Sequence, residues 1–316
     1  MYKEPLFLEP AFKDRIWGGE RLKTEFGYKI PSPTTGECWG ISAHPNGPST
    51  VKNGELAGKT LIEVWDQHRE LFGDYDSEQF PLLTKILDAK TDLSVQVHPD
   101  DTYAREVEHV PYGKTECWYI IDCDEGAEII FGHHAESPEE FRILVNEGKW
   151  DQLLNKVKVK PGDFFYVESG TIHAIGGGIL ILESQQSSDI TYRVYDYDRT
   201  DADGNKRELH IEPSIEVTHY PHQTPETTYK IAQYSQAKIT ELVEADYFTV
   251  DHWDIRGKYD LTMDQPFLLV SVLNGEGTLI TDEKENTITK GDHFIIPATV
   301  SAVQLIGQLE CIVSHP

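Results

Sequence analysis

The sequence predicts a mainly β protein folded as a double jelly roll with a small helical portion. Short apolar and β-branched runs alternate with glycine, proline, aspartate and asparagine along most of the 316 residues. Repeated short strands with turn residues between them are typical of sandwiches and barrels rather than of alternating strand–helix units. The clearest runs are SVQVH (94–98), CWYIIDC (117–123), AEIIFG (127–132), DFFYVES (163–169), GILILES (178–184), PFLLVSVL (266–273) and DHFIIPA (292–298).

An internal repeat is the second observation behind this fold. The segment PGDFFYVESGTIHAI at 161–175 aligns without gaps with KGDHFIIPATVSAVQ at 290–304. Both copies read as a Gly-Asp turn that leads into an apolar strand, so we expect them to occupy equivalent places in two related barrels. This is the two-cupin arrangement of the double jelly roll.

The two copies differ at the position where chemistry is expected. His173 in the first copy aligns with Ala302 in the second, and no Gln-x-His pattern lies near the second copy. We therefore expect residues 1–235 to form a catalytic, metal-binding cupin domain. Residues 236–316 are expected to form a cupin-like domain without metal ligands.

Helical patterns are few, which is the third observation. The best are LIEVWDQHRELFG at about 61–73 and SPEEFRILVNEGKWDQLLNKV at about 137–157. In the second, Ser137 and Glu140 have the spacing of a capping box, and Pro138 suits the first helical position. Both segments are expected to be small helical additions to the first domain.

The charge balance limits the partners. Lys plus Arg total 28 against 54 Asp plus Glu, a net charge of −26. Such a surface repels nucleic acid and anionic lipid, so neither is an expected partner. The start of the chain lacks the apolar core of a signal peptide, and no run reaches the roughly 18 apolar residues of a membrane span, so a cytoplasmic location is expected. An anionic substrate would need a local basic cluster.

The four cysteines are scattered through the chain. None belongs to a Cys-x-x-Cys pair, so neither a disulfide framework nor a thiolate zinc site is indicated. We expect free thiols, as in a reducing compartment. They are Cys38, Cys117, Cys123 and Cys311.

Candidate metal ligands occur on three of the predicted strands. Gln96 and His98 alternate along one strand, so their side chains face the same side. Glu116 opens the next strand, and His173 follows a third. A lone strand histidine is more often structural, but two imidazoles, a carboxylate and an amide oxygen together suit a divalent ion. Zinc fits this set and would polarise a carbonyl group.

Basic residues surround these ligands in the sequence. Lys85 precedes the Gln-x-His strand, Lys114 lies two residues before Glu116, and Arg193 follows later. In so acidic a protein, cations beside metal ligands are the expected means of holding a phosphate. Asp189 lies four residues before Arg193. The two form either an ordinary ion pair or a buried pair in which Arg193 stabilises negative charge developing on a substrate oxygen.

Taken together, these residues resemble the type I phosphomannose isomerases of the cupin superfamily, and the short bacterial form in particular. The family's large helical domain is mostly missing here, and its Lys-Pro-Glu segment reads Lys-Thr-Glu. The resemblance covers most of residues 5–200. The matching segments are Trp17-Gly18-Gly19, Gly36-Glu37-Cys38-Trp39, Gln96-Val97-His98-Pro99, Lys114-Thr115-Glu116, Gly170-Thr171-Ile172-His173-Ala174, and Asp189 with Arg193.

The resemblance implies a zinc-dependent isomerase. It would interconvert mannose 6-phosphate and fructose 6-phosphate by moving a proton between C1 and C2, with one Zn²⁺ ion per chain. The implied metal ligands are Gln96, His98, Glu116 and His173. The implied catalytic residues are Lys85, Lys114, Asp189 and Arg193. The residues implied in substrate binding are Lys85, Lys114, Arg193 and Trp17.

Two other functions fit the same scaffold. A metal-dependent cupin oxygenase would usually offer more histidines and bind iron, and it would leave the basic cluster without a use. A non-enzymatic cupin would bind a sugar phosphate without turnover. For the isomerase and for the non-enzymatic cupin alike, the expected partner is a phosphorylated hexose. The oligomeric state stays open, with a monomer favoured.

Overall fold

The computed structural model describes residues 2–200, 203–281 and 284–316, and strands dominate it, as predicted. The strands are β1 (Leu6–Glu9), β2 (Ala11–Gly19), β3 (Thr35–Ile41), β4 (Thr50–Val51), β5 (Leu82–Ala89), β6 (Val95–Val97), β7 (Glu116–Cys123), β8 (Glu128–His133), β9 (Leu154–Lys158), β10 (Phe164–Val167), β11 (His173–Ile175), β12 (Ile179–Gln186), β13 (Tyr192–Tyr195), β14 (Lys230–Gln233), β15 (Ala237–Glu244), β16 (Thr249–Thr262), β17 (Phe267–Ile280), β18 (Glu285–Thr289), β19 (His293–Pro297) and β20 (Ala302–His315).

Within the residues that the structure describes, six α-helices connect these strands. They are α1 (Arg21–Phe26), α2 (Leu61–Gln67), α3 (Asp101–Glu106), α4 (Pro138–Asn146), α5 (Trp150–Leu153) and α6 (Ile211–Val217), and short 3₁₀ helices lie at Gly54–Leu56 and Arg69–Phe72. None of the helices in the described part of the chain is long and apolar enough to cross a membrane.

The first jelly roll is built from two sheets. One has the strand order β10-β7-β12-β5-β2-β3, and the other has the order β13-β6-β11-β8-β9. Their inner faces enclose a core in which Trp118 and Ile181 of the first sheet pack with Phe131 and Ile175 of the second. The candidate site residues lie on these two sheets or, as His98, Lys114 and Asp189 do, in the segments next to their strands.

The C-terminal strands form a larger sheet with the order β14-β15-β16-β20-β17-β19-β1-β4, to which β18 is added through β17. Strand β1 therefore pairs with β19, although it comes from the start of the chain. The rings of Trp65 and Phe72 also meet Phe267 of β17, at centroid distances of 6.4 and 5.3 Å. The two halves thus share an aromatic core, and the domain boundary near residue 235 stays a prediction.

The internal repeat appears in the structure as two matching turns. In the first copy, Gly162 has a φ of 90°, and the Asp163 carboxylate accepts a hydrogen bond from the Lys160 amide at 2.9 Å. In the second, Gly291 has a φ of 93°, and Asp292 accepts from the Thr289 amide at 2.8 Å. Glycine suits both turns because other residues rarely adopt such angles. In each copy the turn leads into a strand, β10 or β19, and then a loop. The strand after that loop begins at His173 in the first copy and at Ala302 in the second.

Both predicted helices are shorter than expected. The first, α2, ends at Gln67 and continues only as the 3₁₀ turn 69–72. The second is divided into α4, which has Ser137 as its cap and ends at Asn146, and the single turn α5 (Trp150–Leu153), and residues 154–158 form β9 instead of helix. Pairing of β9 with β8 supplies long-range hydrogen bonds that outweigh the local helical pattern.

The cysteine prediction is confirmed. All four are free thiols, and three of them are buried. Burial raises the pKa of the Cys38 and Cys311 thiols well above the usual range, which makes both poor nucleophiles. The cysteines therefore act as core residues.

Candidate metal centre and active site

Three neighbouring strands bring the site residues into one row. On β6, Gln96 lies directly opposite His173 of β11 on one side and Arg193 of β13 on the other. Directly opposed residues in antiparallel strands project their side chains from the same face of the sheet. His98 follows β6, and Glu116 begins β7 in the facing sheet.

His98, Glu116 and His173 converge on one point. One ligand atom from each lies within 4.8 Å of the others. The Glu116 carboxylate is 3.6 Å from Nε2 of His98 and 3.4 Å from Nε2 of His173. The Gln96 amide lies 3.4 Å from the same nitrogen of His173. All three titratable side chains are at most 1% exposed.

The backbone hydrogen bonds of the two imidazoles make Nδ1 the donor of each ring and leave Nε2 without a proton; in His98, Nε2 accepts a hydrogen bond from Lys114. Nδ1 of His98 donates to the Ile190 carbonyl at 2.7 Å, and Nδ1 of His173 donates to the Thr171 carbonyl at 2.8 Å. Burial, followed by the Lys114 ammonium, lowers the pKa of His173 to about 3 and that of His98 well below its usual range. Neutral imidazoles whose Nε2 lone pairs face a shared carboxylate are the form that binds zinc, so the donor set fits the metal.

A buried lysine–glutamate cluster adjoins these residues. Lys114 contacts Glu116 and donates to Nε2 of His98 at 3.0 Å, and it lies 4.0 Å from Glu183. Lys85 lies 3.3 Å from Glu183, its direct cross-strand partner. Burial alone lowers the pKa of Lys114, but the carboxylates of Glu116 and Glu183 outweigh it, so the net shift is upward. Lys114 is therefore a protonated ammonium group.

Arg193 and Asp189 do not form the ion pair that their spacing suggested. Arg193 donates to the Ser94 hydroxyl at 3.3 Å and to the Glu208 carbonyl at 2.8 Å. The exposed Asp189 instead accepts from the side chain of Asn46 at 3.1 Å. A spacing of four joins neighbours on a helix, whereas Arg193 lies in a strand and Asp189 lies in the loop before it.

Six of the predicted site residues line one cleft of about 570 Å³, a volume typical of small-molecule sites: Trp17, Lys85, Gln96, Lys114, Asp189 and Arg193. His98, Glu116 and His173 are not among its lining residues, and they adjoin it through Gln96 and Lys114. Trp17, which is 4% exposed, forms part of its wall. Two further arginines contribute to it. Arg15 forms a two-pronged pair with Glu37 at 2.8 and 3.0 Å, and Arg207 forms one with Asp196 at 2.8 and 2.6 Å.

Sequence reasoning missed Glu183, Ser94, Arg15 and Arg207. Glu183 had a signal, because a carboxylate inside the apolar run GILILES is unusual for a buried strand. It is 4% exposed, and it also accepts from Trp118 Nε1 at 3.1 Å. The arginines had no such signal, because Arg15 lies on β2 and Arg207 lies in the loop before α6, and only the fold brings them to one cleft.

Comparison with known proteins agrees with this architecture. Residues 6–131 match the model of the phosphomannose isomerase type I catalytic domain, and residues 238–316 match the mannose-6-phosphate isomerase cupin domain. The chain is 55% identical over 315 residues to mannose-6-phosphate isomerase ManA of Bacillus subtilis, covering 100% of both chains. It is also 55% identical to mannose-6-phosphate isomerase of Streptococcus mutans, covering 99% of this chain and 98% of the relative.

A solved structure gives the same result. The crystal structure of mannose 6-phosphate isomerase from Bacillus subtilis superposes with a TM-score of 0.98 at 51% sequence identity. The match covers 99% of this chain and 100% of that one. The predicted double jelly roll is therefore confirmed.

Proposed function

The chain belongs to the type I phosphomannose isomerase family, and on that premise we propose that it interconverts mannose 6-phosphate and fructose 6-phosphate in the cleft beside His98. The observation that carries the proposal is a buried ligand set that adjoins a lysine–glutamate cluster and a cleft. Five cationic side chains line the cleft, Arg15, Lys85, Lys114, Arg193 and Arg207, against four carboxylates, Asp14, Glu37, Glu183 and Asp189. In a protein of net charge −26, this concentration of cations suits an anionic substrate.

Zinc is the metal that we propose, with one ion per chain. Gln96, His98, Glu116 and His173 would hold it, the glutamine through its amide oxygen. When bound, zinc supplies a Lewis acid that polarises the carbonyl of the open-chain sugar and makes the adjacent C–H bond more acidic. The remaining tasks fall to side chains of this chain.

Proton transfer needs a group that holds a proton and a group that removes one. The Lys114 ammonium, kept protonated by its carboxylate neighbours, is suited to hydrogen-bond a substrate oxygen and neutralise its charge. Asp189 is the candidate for taking the proton from carbon, because its carboxylate can accept one, and Lys85, which pairs with Glu183, can hydrogen-bond a substrate oxygen as Lys114 does. Glu183 would position both lysines through its contacts of 3.3 and 4.0 Å.

Charge stabilisation falls to Arg193. Its strand position opposite Gln96 puts it beside a proposed ligand, and its contacts with Ser94 and Glu208 restrain the guanidinium. A restrained donor of this kind can stabilise the enediolate oxygen at little reorganisation cost. The sugar would lie against Trp17. Arg15 and Arg207 are candidates for the phosphate because their guanidinium groups line the same cleft.

The test is a coupled assay that offers mannose 6-phosphate with and without a chelator. We expect turnover that the chelator abolishes and added zinc restores. In deuterated water, the fructose 6-phosphate that forms should carry solvent deuterium at C1, unless the base is shielded from exchange. Binding of the sugar phosphate without turnover would support the non-enzymatic function instead. Activity that requires iron and oxygen would support an oxygenase.

A further inference from the structure

A segment outside the cleft contacts the backbone that carries the proposed histidine ligands. It comprises residues 218–222, which follow α6, and we call it the strap. The His219 amide donates to the Gly170 carbonyl at 3.0 Å. The His219 carbonyl accepts from Nε2 of His133, at the end of β8, at 2.9 Å. The strap therefore joins β8 to the loop between β10 and β11.

Two histidine rings of the strap lie directly on glycines. A Cβ atom at Gly170 would lie 2.8 Å from three atoms of the His219 ring, and one at Gly132 would lie 2.2 Å from Cδ2 of His222. Both glycines also have positive φ angles, of 83° and 90°. Any other residue would be strained and would displace the ring. The close approach of each ring thus depends on glycine.

The covered glycines hold the main chain at both proposed histidine ligands. The Gly170 amide donates to the His98 carbonyl at 2.9 Å, and the Gly132 amide donates to the Ile172 carbonyl at 2.7 Å. Ile172 immediately precedes His173. The ring orientation of His173 also depends on this stretch, because its Nδ1 donates to the Thr171 carbonyl.

We propose that the strap is a positioning segment for the metal ligands. By covering Gly170 and Gly132, His219 and His222 restrain residues 170–173 so that both histidine ligands keep their approach to Glu116. Restraining ligands before binding removes part of the entropic cost of gathering them, which raises metal affinity. This inference rests on the metal site of the proposed function.

The first test compares zinc affinities. His219→Ala removes the ring and keeps the backbone hydrogen bond, and we expect the zinc Kd to rise about tenfold, as other supporting residues of metal sites do. His219→Phe restores a flat ring over Gly170 and should recover most of the affinity. His134→Ala is the control, because His134 is an exposed histidine close to the same region. The Kd values come from competition with a chromophoric chelator.

A second test examines whether ring and glycine act as a pair. Gly170→Ala should weaken zinc binding more than His219→Ala, because the new Cβ meets the ring and the backbone is strained. In the double variant the ring is gone, so part of the affinity should return. Equal losses in the Gly170→Ala and double variants, together with an unchanged Kd in His219→Ala, would show that the ring has no role.

A third measurement needs no metal and separates this inference from the proposed function. Hydrogen exchange of the Gly170 amide in metal-free protein should be roughly tenfold faster in His219→Ala, since its bond to His98 opens more often. Failure of the wild-type protein to bind zinc would overturn the proposed metal site. The positioning role would be overturned if folded His219→Ala kept the wild-type exchange rate of the Gly170 amide and the wild-type zinc Kd. The same conclusion would follow if this variant had a lower Tm but an unchanged exchange rate and Kd.

Discussion

Replacing Arg193 with alanine tests the proposed chemistry most directly. The guanidinium is restrained by two hydrogen bonds, from Nε to Ser94 and from Nη1 to the Glu208 carbonyl. Nη2 makes no hydrogen bond to any residue that the structure describes, so it can donate to a substrate oxygen. Removing one restrained donor of this kind typically costs about 2.7–4 kcal/mol in the transition state. We therefore expect kcat to fall about 10²- to 10³-fold with a smaller change in KM.

A lysine at this position should also be impaired. A single ammonium cannot contact Ser94 and Glu208 and still present a further donor, because it lacks the planar fork of the guanidinium. We expect Arg193→Lys to lose at least about tenfold in kcat, within the range of a lost charged hydrogen bond. Arg256→Ala is the matched control, since Arg256 is an exposed arginine paired with Asp254 in the C-terminal sheet at 2.7 Å. Its kinetics should match the wild type.

The assay measures initial rates of fructose 6-phosphate formation over a range of mannose 6-phosphate concentrations. Zinc content is measured on the same samples, because a loss of metal would imitate a loss of charge stabilisation. A variant with normal zinc, normal kcat and raised KM would refute the catalytic role. It would leave Arg193 as a residue that binds the phosphate.

Three further predictions follow from the ligand set, the repeat and one buried carboxyl. Alanine at His98 or His173 should remove most zinc and almost all activity while the circular dichroism spectrum stays that of a β-rich fold; full zinc and activity in either variant would contradict its ligand role. Metal analysis of the wild type should give one zinc per chain, and a second transition metal within residues 236–316 would contradict our interpretation of the repeat. Burial raises the pKa of Asp251 to about 6, above the roughly 3.9 of an unfolded chain, so its folded form keeps a proton that the unfolded form has lost. Stability therefore falls as pH rises from about 4 through 6, and Asp251→Asn should raise the free energy of unfolding, and with it Tm, more at pH 8 than at pH 5, by about 1.4 kcal/mol. Equal shifts in Tm at the two pH values would show that the carboxyl is not destabilised by burial.

The strands and the repeat could be predicted from the sequence because their signals are local. Alternation along SVQVH indicates that Gln96 and His98 share one face, and the structure has β6 at this position. The Gly-Asp turns at 162–163 and 291–292 require the same backbone angles in both copies, and the structure shows them. The candidate residues His98, Glu116 and His173 came from residue types and strand ends, and they meet in space.

The sequence by itself determined which residues share a face of each strand, since a pleated strand alternates its faces whatever its partners are. Only the tertiary structure decided which strands became neighbours. Strand register placed Glu183 opposite Lys85. Pairing of β9 with β8 replaced the end of the second predicted helix. The fold also gave Asp189 a partner other than Arg193. The reason is physical: strand pairing and the burial of charge join residues far apart in the chain, so their energies depend on the whole fold rather than on any local pattern.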